Sequence, residues 1–233
     1  MPRESRQNRA LRAQAILHEL HRLYADATCA LHHTNALELL IATILSAQCT
    51  DERVNQVTPR LFKRYPTAQH YAEANEAELR ELIRPTGFFN NKARSIRGAG
   101  RVLVEHFNGQ VPDTMEQLLQ IPGVARKTAN VLLGTWFGRN DGVVVDTHVG
   151  RLALRLRLAP SARGSKDAVR IEQDLIRILP QEEWTFTSHA LIHHGRSTCT
   201  ARSPRCSQCT LAPLCPGAHI LHATKAVRNA SAD

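Results

Sequence analysis

The sequence predicts an all-α fold of ten or so helices. Apolar residues recur at three- and four-residue spacing along nearly the whole chain. No segment alternates convincingly between apolar and polar residues, as a half-buried strand would. The chain has 233 residues, of which 42% are hydrophobic, and this is enough for a packed core.

The spacing of apolar residues predicts three helices near the start of the chain. An apolar stripe predicts a helix over residues 11–24, and another covers 54–62. Residues 36–47 are apolar on most sides, which predicts a central buried helix. Thr34 or Asn35 is well placed to cap that helix, because a side-chain oxygen there can accept from the first backbone amides.

Two later helices begin with the spacing of a capping box, a polar residue followed three positions on by Glu. Asn75 with Glu78 opens one, and Asp113 with Glu116 opens the other; a longer helix over 92–107 lies between them. The remaining pattern predicts a helix over 125–137, a turn over 138–142, an extended apolar run over 143–145, a helix with Asp146 at its N-cap, and helices over 165–179 and 182–194.

Charge and composition point to an anionic partner. Thirty Lys and Arg against 21 Asp and Glu give a formal net charge of +9 and a pI near 9.7, which favours nucleic acid or an anionic membrane surface. No run of 18 apolar residues predicts a membrane span. The first residues are polar and basic without an apolar segment, so we expect a short disordered arm rather than a signal, and a cytoplasmic protein.

Four cysteines lie close together near the C-terminus, and the order C-x6-C-x2-C-x5-C suggests a shared site. Disulfides are disfavoured because the sequence shows no secretory signal, and proteins that are not secreted stay in a reducing compartment. A zinc site and an iron–sulfur cluster both stay open, since thiolate ligation does not by itself name the metal, although zinc usually takes two separated knuckles. The candidate ligands are Cys199, Cys206, Cys209 and Cys215, whereas Cys29 and Cys49 are interpreted as buried small side chains.

A Pro-Gly turn between two predicted helices is a candidate phosphate site. In the segment I-P-G-V-A-R-K (121–127), one helix ends at the proline and the next begins almost at once. The first amides of that second helix have no partners within the helix and carry positive dipole charge, which suits a DNA phosphate. An ordinary connection between two helices has the same pattern.

Lys127 and Asp146 are the candidate reactive residues. Lys127 lies in the first turn of a helix, and desolvation beside bound DNA would lower its pKa and leave an amine able to attack carbon. A lysine that only contacts phosphate is the simpler alternative. Asp146 follows the apolar run 143–145; it can cap a helix, and it can also stabilise positive charge or move protons at a sugar carbon.

Together these features resemble the endonuclease III family of the helix-hairpin-helix DNA glycosylases. The resemblance covers roughly residues 30–216, in the order found in the family. It rests on LLIATILSAQCTD (39–51), GFFNNKA (87–93), IPGVARKTANVLL (121–133), VDTH (145–148), HGRSTC (194–199) and the cysteine string.

The resemblance implies two helical domains with DNA bound in the cleft between them. A six-helix domain, 29–139, would carry the hairpin. A discontinuous domain, 1–28 plus 140–233, would hold a [4Fe–4S] cluster on the four cysteines, with 1–8 and 217–233 as disordered tails. The partner would be double-stranded DNA with damaged bases or abasic sites, and the protein would act as a monomer, at the nucleoid if bacterial.

The resemblance also implies a bifunctional DNA glycosylase and abasic-site lyase. Lys127 would attack C1′ of an extruded, oxidised pyrimidine nucleotide and form a Schiff base, with Asp146 assisting, and β-elimination would cut the strand 3′ to the lesion. Gln48 would fill the gap left by the flipped base, and Phe88 would contact the opposite strand. The other implied DNA-binding residues are Gly123, Val124, Ala125, Arg202 and Arg205.

Three positions depart from the usual family pattern. Ala125 stands where the family usually has glycine, and it would cost about 1 kcal/mol if the position required a positive φ. Phe88 replaces an aliphatic residue, and core packing is its alternative role. Gly150 replaces a bulkier residue and would widen the region behind Asp146. We hypothesise that Phe88 and Ala125 alter the range of lesions or lower the activity.

Two other classes of function compete with this one. A monofunctional glycosylase of the same superfamily, acting on mispaired adenine, would need a Glu where Thr43 stands, and the only acid on that helix is Glu38. One acting on a T·G mismatch usually has Tyr in place of Lys127. The second class is a non-catalytic DNA-binding protein with a redox-sensing cluster.

Overall fold

The computed structural model describes residues 4–218. That part of the chain is helical and contains no β-strand, as the sequence predicts. None of its helices combines the length and apolar character needed to cross a membrane. The α-helices are α1 (Arg6–Leu23), α2 (Ala36–Leu45), α3 (Asp51–Arg64), α4 (Ala68–Ala72), α5 (Glu76–Ile83), α6 (Phe89–Phe107), α7 (Met115–Leu118), α8 (Arg126–Thr135), α9 (Thr147–Arg155), α10 (Ala168–Ile176) and α11 (Trp184–Ser197).

The chain divides into two compact units. One unit is continuous and runs over Cys29–Asp141, so it contains α2 to α8. The other combines Met1–Thr28 with Gly142–Asp233, so it contains α1 and α9 to α11. Each unit has its own hydrophobic core of buried aliphatic side chains.

Helix α2 is the centre of the continuous unit. Its residues Leu39, Leu40, Ile41 and Ala42 are fully buried on consecutive positions, which confirms the prediction of a helix buried on most sides. Helix α8 packs against α2, and α4 packs closely against α6. The contact between α4 and α6 depends on Gly100, because a Cβ there would lie 2.6 Å from the backbone nitrogen of Ala72.

Helices α9 and α11 form the centre of the discontinuous unit, with α1 packed against α11. Leu152 and Ala153 of α9 and Leu191 of α11 are buried in its core. The small size of Gly150 suggested a wider region behind Asp146, but that expectation is wrong. A Cβ on Gly150 would lie 2.1 Å from the carbonyl oxygen of Ser165, so backbone fills that region.

Helix starts were predictable where the cap acts locally. Asn35, Asn75 and Asp146 each accept a hydrogen bond from an amide of the helix that follows, as predicted. The predicted start of α7 was wrong by one residue. Thr114, not Asp113, is its N-cap and accepts from the Gln117 amide.

The predicted disordered tail 1–8 is helical from Arg6 onward, and its residues 1–3 lie outside the described residues. Helix α1 begins at Arg6, with Ser5 as its N-cap. Glu4 accepts two hydrogen bonds from Arg12, at 2.9 and 2.8 Å, which fastens the start of the chain to α1. Of the other predicted tail, 217–233, residues 219–233 lie outside the described residues.

The close approach at Gly150 predicts a specific loss of stability. Gly150→Ala should lower the free energy of unfolding by about 1–3 kcal/mol, because the new methyl group meets backbone that cannot rotate away. Thermal and chemical denaturation of the purified protein would measure it. Gly164→Ala is the matched control, since a Cβ at Gly164 meets nothing within 4 Å. Equal stability of the two variants would contradict the packing described.

Candidate nucleic-acid interface and cysteine pocket

The turn between α7 and α8 is built around a left-handed glycine. The Val124 amide donates to the Ile121 carbonyl at 3.0 Å, and both side chains are buried, which anchors the turn. Gly123 has φ of +85°, and a Cβ there would lie 2.9 Å from Cβ of Ser95. Backbone conformation and lack of space therefore both require glycine at this position.

Ala125 carries no strain. Its φ of −102° and ψ of 171° are extended, so the possible cost of a positive φ at this position does not arise. Ala125 is the N-cap of α8 and has no side-chain oxygen to accept from the first amides of the helix. The start of α8 therefore presents its dipole charge without a capping acceptor.

Lys127 lies in the first turn of α8, and its side chain is exposed. Arg126 beside it is also exposed, and no acidic residue occupies that turn. The fold thus brings Gly123, Ala125 and Lys127 to one exposed helix start. The exposed cation of Lys127 at the positive end of a helix is unfavourable alone and favourable beside an anion such as a phosphate.

Gln48 and Phe88 are exposed on the same unit, and both have a left-handed backbone. Gln48 has φ of 52° and Phe88 has φ of 48°, which is uncommon for residues other than glycine. Phe88 is 61% exposed, whereas its neighbour Phe89 packs against the core. The core-packing alternative for Phe88 is therefore wrong, and Phe89 takes that place.

Asp146 caps α9 on the discontinuous unit. Its Oδ1 accepts from the amides of His148 and Val149, each at 2.8 Å, and its Oδ2 lies 2.9 Å from Nδ1 of His148. The buried run of Val143, Val144 and Val145 leads directly into this cap. The carboxylate is therefore held in one orientation by three hydrogen bonds, two from His148 and one from Val149, and it stays partly accessible to solvent.

The four C-terminal cysteines surround one pocket. Their thiols are free, and the pocket is otherwise lined mainly by apolar side chains such as Leu152, Leu156 and Leu211. Within residues 4–218, no three His, Cys, Asp or Glu side chains converge on the position of a single metal ion. Four thiols around a shared apolar space fit a cluster with several irons, each ligated by one thiolate.

Hydrogen-bond donors approach the sulfurs of this pocket. Arg155 Nη1 lies 3.2 Å from Sγ of Cys199, and His194 Nε2 lies 3.4 Å from Sγ of Cys209. Tyr24 Oη lies 2.9 Å from the other ring nitrogen of His194. If the Tyr24 hydroxyl donates there, the imidazole proton sits on Nε2 and points at the Cys209 sulfur.

Burial shifts the pKa values of two histidines of α11 and of two of the cysteines. It lowers the pKa of His194 to about 4 and, together with the nearby His193, that of His189 to about 4. Both imidazoles are therefore neutral at pH 7. Burial also raises the pKa of the Cys209 and Cys215 thiols, and the neighbouring thiols add to this. Binding a metal cluster must therefore displace their protons.

The loop between the first two cysteines exposes two arginines. Arg202 and Arg205 are both exposed. Arg155 of α9 holds the start of the loop by donating to the carbonyls of Thr200 and Ala201, at 2.7 and 2.8 Å. The two arginines are thus carried by a segment that is fastened to a core helix.

Sequence reasoning missed the side chains that support these sites. Arg151 and Arg155 of α9 both donate to the carbonyl of Cys199, and His194 approaches Cys209 from α11. Their spacing of four residues places the two arginines on one helix face, which is a visible signal. The target of that face, 44 or more residues away, is not visible in the sequence.

Comparison with known proteins identifies two family signatures. Residues 41–181, more than half of the chain, match the HhH-GPD superfamily of base excision DNA repair proteins. Residues 199–215, which span the cysteine string, match the iron–sulfur binding domain of endonuclease III.

Individual relatives agree with these signatures. The chain is 55% identical over 207 residues to endonuclease III of Synechocystis, covering 89% of this chain and 93% of the relative. It is 39% identical over 208 residues to endonuclease III of Escherichia coli K12, covering 89% and 96%.

Solved structures agree as well. A trapped covalent intermediate of endonuclease III with DNA, in an estranged-adenine complex, has a TM-score of 0.86 at 40% identity, covering 94% of this chain and all of that one. A thermostable thymine-DNA glycosylase, at 18% identity and a TM-score of 0.81, covers 89% of this chain and 97% of its own, and shares the fold. The chain belongs to the endonuclease III family of base excision DNA repair glycosylases, whose cofactor is a [4Fe–4S] cluster.

Proposed function

We propose that this chain removes oxidised pyrimidines from duplex DNA and then cuts the strand 3′ to the abasic site. Lys127 is the nucleophile and Asp146 the assisting carboxylate. The observation that carries the proposal is the position of Lys127, an exposed amine in the first turn of the helix that follows the glycine turn. A structural relative at 40% identity is a trapped covalent intermediate of its enzyme with DNA.

The chemistry needs an amine next to the sugar of an extruded nucleotide. Nζ of Lys127 attacks C1′, the bond from C1′ to the base breaks, and the base leaves with the electron pair and takes up a proton. The amine gives up protons as the sugar ring opens to a Schiff base. Loss of a proton from C2′ then expels the 3′ phosphate by β-elimination, and water releases the enzyme.

Asp146 supplies negative charge and a place for protons. As the bond to the base breaks, positive charge grows on the sugar, and a fixed carboxylate stabilises it. Its three hydrogen bonds, from His148 and Val149, keep the charge oriented without rearrangement during the reaction. The cap and the catalytic role thus use the same carboxylate.

The DNA interface combines phosphate contacts with residues that enter the helix. Backbone groups of Gly123, Val124 and Ala125 at the start of α8 suit a phosphate. Gln48 fills the space of the extruded base, and Phe88 contacts the opposite strand. Extrusion costs a few kcal/mol, and less for a damaged base, which itself favours lesions.

The cluster has a structural role in this proposal. The ligands are Cys199, Cys206, Cys209 and Cys215, and the bound cluster ties their segment at four points. This holds Arg202 and Arg205 against the DNA backbone. The continuous unit acts as the hairpin domain, with predicted bounds 29–139, and the discontinuous unit as the cluster domain. We expect the protein to work as a monomer in the cytoplasm, at the nucleoid of a bacterial cell.

The geometry of α2 argues against an adenine-specific glycosylase. Thr43 is engaged with its own helix, since its hydroxyl donates to the Leu39 carbonyl at 2.7 Å. Glu38, the only acid of α2, accepts from the amide and hydroxyl of Thr34 at the start of the helix. Neither residue is available as a catalytic acid.

Lys127→Gln should abolish covalent trapping. With borohydride and a duplex containing thymine glycol or an abasic site, the unaltered protein should give a covalent protein–DNA adduct, because the Schiff base is reduced. The variant should give none. Lys63→Gln, at an exposed lysine of α3, is the control and should trap normally. An adduct that persists in Lys127→Gln would contradict the assignment, and no adduct with the unaltered protein would favour the non-catalytic alternative.

Two substitutions of Asp146 separate its roles. Asp146→Asn keeps a capping oxygen and removes the charge, whereas Asp146→Ala removes both and should also cost about 1 kcal/mol of stability. Both variants should lower the single-turnover rate by about 10²–10⁴-fold if the carboxylate acts in proton transfer. Rate measurements beside thermal unfolding would test this. A normal rate in Asp146→Asn would leave Asp146 as a helix cap only.

The arginines of the cysteine loop should contribute to binding through phosphates. Arg205→Ala should weaken binding of duplex DNA and reduce the slope of log affinity against log salt concentration by about one unit. Titrations at several salt concentrations measure both. Arg22→Ala is the control, because that exposed arginine pairs with Glu19 on α1. If affinity and slope stay unchanged in Arg205→Ala, the cysteine loop stabilises the fold alone.

A further inference from the structure

A buried lysine lies beside the loop that carries Phe88, one of the residues proposed to enter DNA. Lys92, in the first turn of α6, is only 4% exposed. Lysine is almost never buried unless it is paired, and a cation near the start of a helix also opposes the helix dipole. Within the described residues Lys92 has no carboxylate partner. An apolar side chain of similar volume would avoid these costs, so the lysine serves something other than core packing.

A hydrogen bond from Lys92 holds the loop that carries Phe88. Its Nζ donates to the carbonyl of Thr86 at 2.8 Å. The Thr86 hydroxyl in turn donates to the Ile83 carbonyl at 2.8 Å. Gly87 and Phe88 follow with consecutive positive φ angles of 68° and 48°. The hydrogen bond from Lys92 therefore ends one residue before the left-handed pair that turns the Phe88 ring outward.

Burial of Lys92 also affects its charge. It lowers the pKa of the ammonium, and the Cys49 thiol opposes that shift electrostatically. The direct contact that places the side chain is the hydrogen bond to Thr86.

The left-handed turn at Phe88 needs support from the residues around it. Phe88 is the N-cap of α6 without a side-chain hydrogen bond, and its ring is 61% exposed. A residue in a sparsely populated backbone conformation persists only when its surroundings impose it. The buried hydrogen bond from Lys92 to Thr86 is such a constraint on the loop that carries Phe88.

We propose that Lys92 is a positioning residue that holds the Phe88 loop in the geometry that enters DNA and opens a base pair. The proposal rests on the proposed function, because it assigns Phe88 to the DNA helix. Lys92 does not touch the reacting atoms. Its effect is therefore confined to base extrusion, and the attack by Lys127 is left unchanged.

The test compares two duplexes that differ only in what faces the lesion. In the first, thymine glycol is paired with adenine. In the second, the opposite nucleotide is a tetrahydrofuran abasic analogue, so there is no pair to open and no opposite base for Phe88 to contact. Lys92→Met keeps the volume of the side chain and removes the hydrogen-bond donor and the charge. Lys63→Met, at the exposed lysine of α3, is the matched control.

Lys92→Met should slow single-turnover cleavage of the paired duplex about tenfold and leave the second duplex within about twofold, because a misplaced wedge matters only where a pair must be opened. Lys63→Met should change neither rate. The rate on the second duplex also reports whether the variant is folded and competent. Equal slowing of both duplexes, or slowing of neither, would overturn the proposal.

A double-mutant cycle provides an independent check. In a Phe88→Ala background, Lys92→Met should slow the paired duplex less than it does alone, because Lys92 acts through the ring that is already missing. Full additivity of the two substitutions would contradict the positioning role. If the unaltered protein cleaves neither duplex and gives no borohydride adduct, the proposed function fails instead, which is a different result.

Discussion

The cap formed by Asp146 on α9 is the interaction on which the discontinuous unit depends. Its carboxylate accepts from two amides at the start of a nine-residue helix, and Arg151 and Arg155 of the same helix donate to the cysteine loop. A helix of that length spans about 14 Å. The proposed catalytic carboxylate and the cysteine pocket are therefore fixed to a single rigid element, and neither has to be positioned by a flexible loop.

Two of the lysines of the continuous unit show that the same residue type at the same place in a helix can have different environments. Lys127 and Lys92 both lie in the first turn of a helix, yet one is exposed and the other is buried. Only the exposed amine can meet a substrate. The buried one can act on the site only through backbone that it holds. Helix position alone does not separate these two environments, because the difference arises from how α6 and α8 pack in the folded unit.

Features that depend on a few neighbouring residues were predictable from the sequence. The all-helical class, the buried helix α2 and the caps at Asn35 and Asn75 follow from spacing and from side chains that act within three positions. Features set by backbone conformation or by distant partners were not. Phe88 and Phe89 look alike in sequence, and a single left-handed residue decides which ring is exposed. His194 meets Cys209 and Tyr24 only after folding, so its role beside the pocket had no local signal.

The neutral histidines of α11 have a consequence for the conditions under which the discontinuous unit survives. Burial lowers the pKa of His189 and His194 from 6.5 to about 4. Between those values the unfolded chain binds protons that the folded unit excludes, so stability falls as the pH drops through this range. The cysteine loop contacts this helix, and acid would therefore loosen its support. Mild acid is therefore a stress that acts selectively on the unit that carries the cysteine pocket.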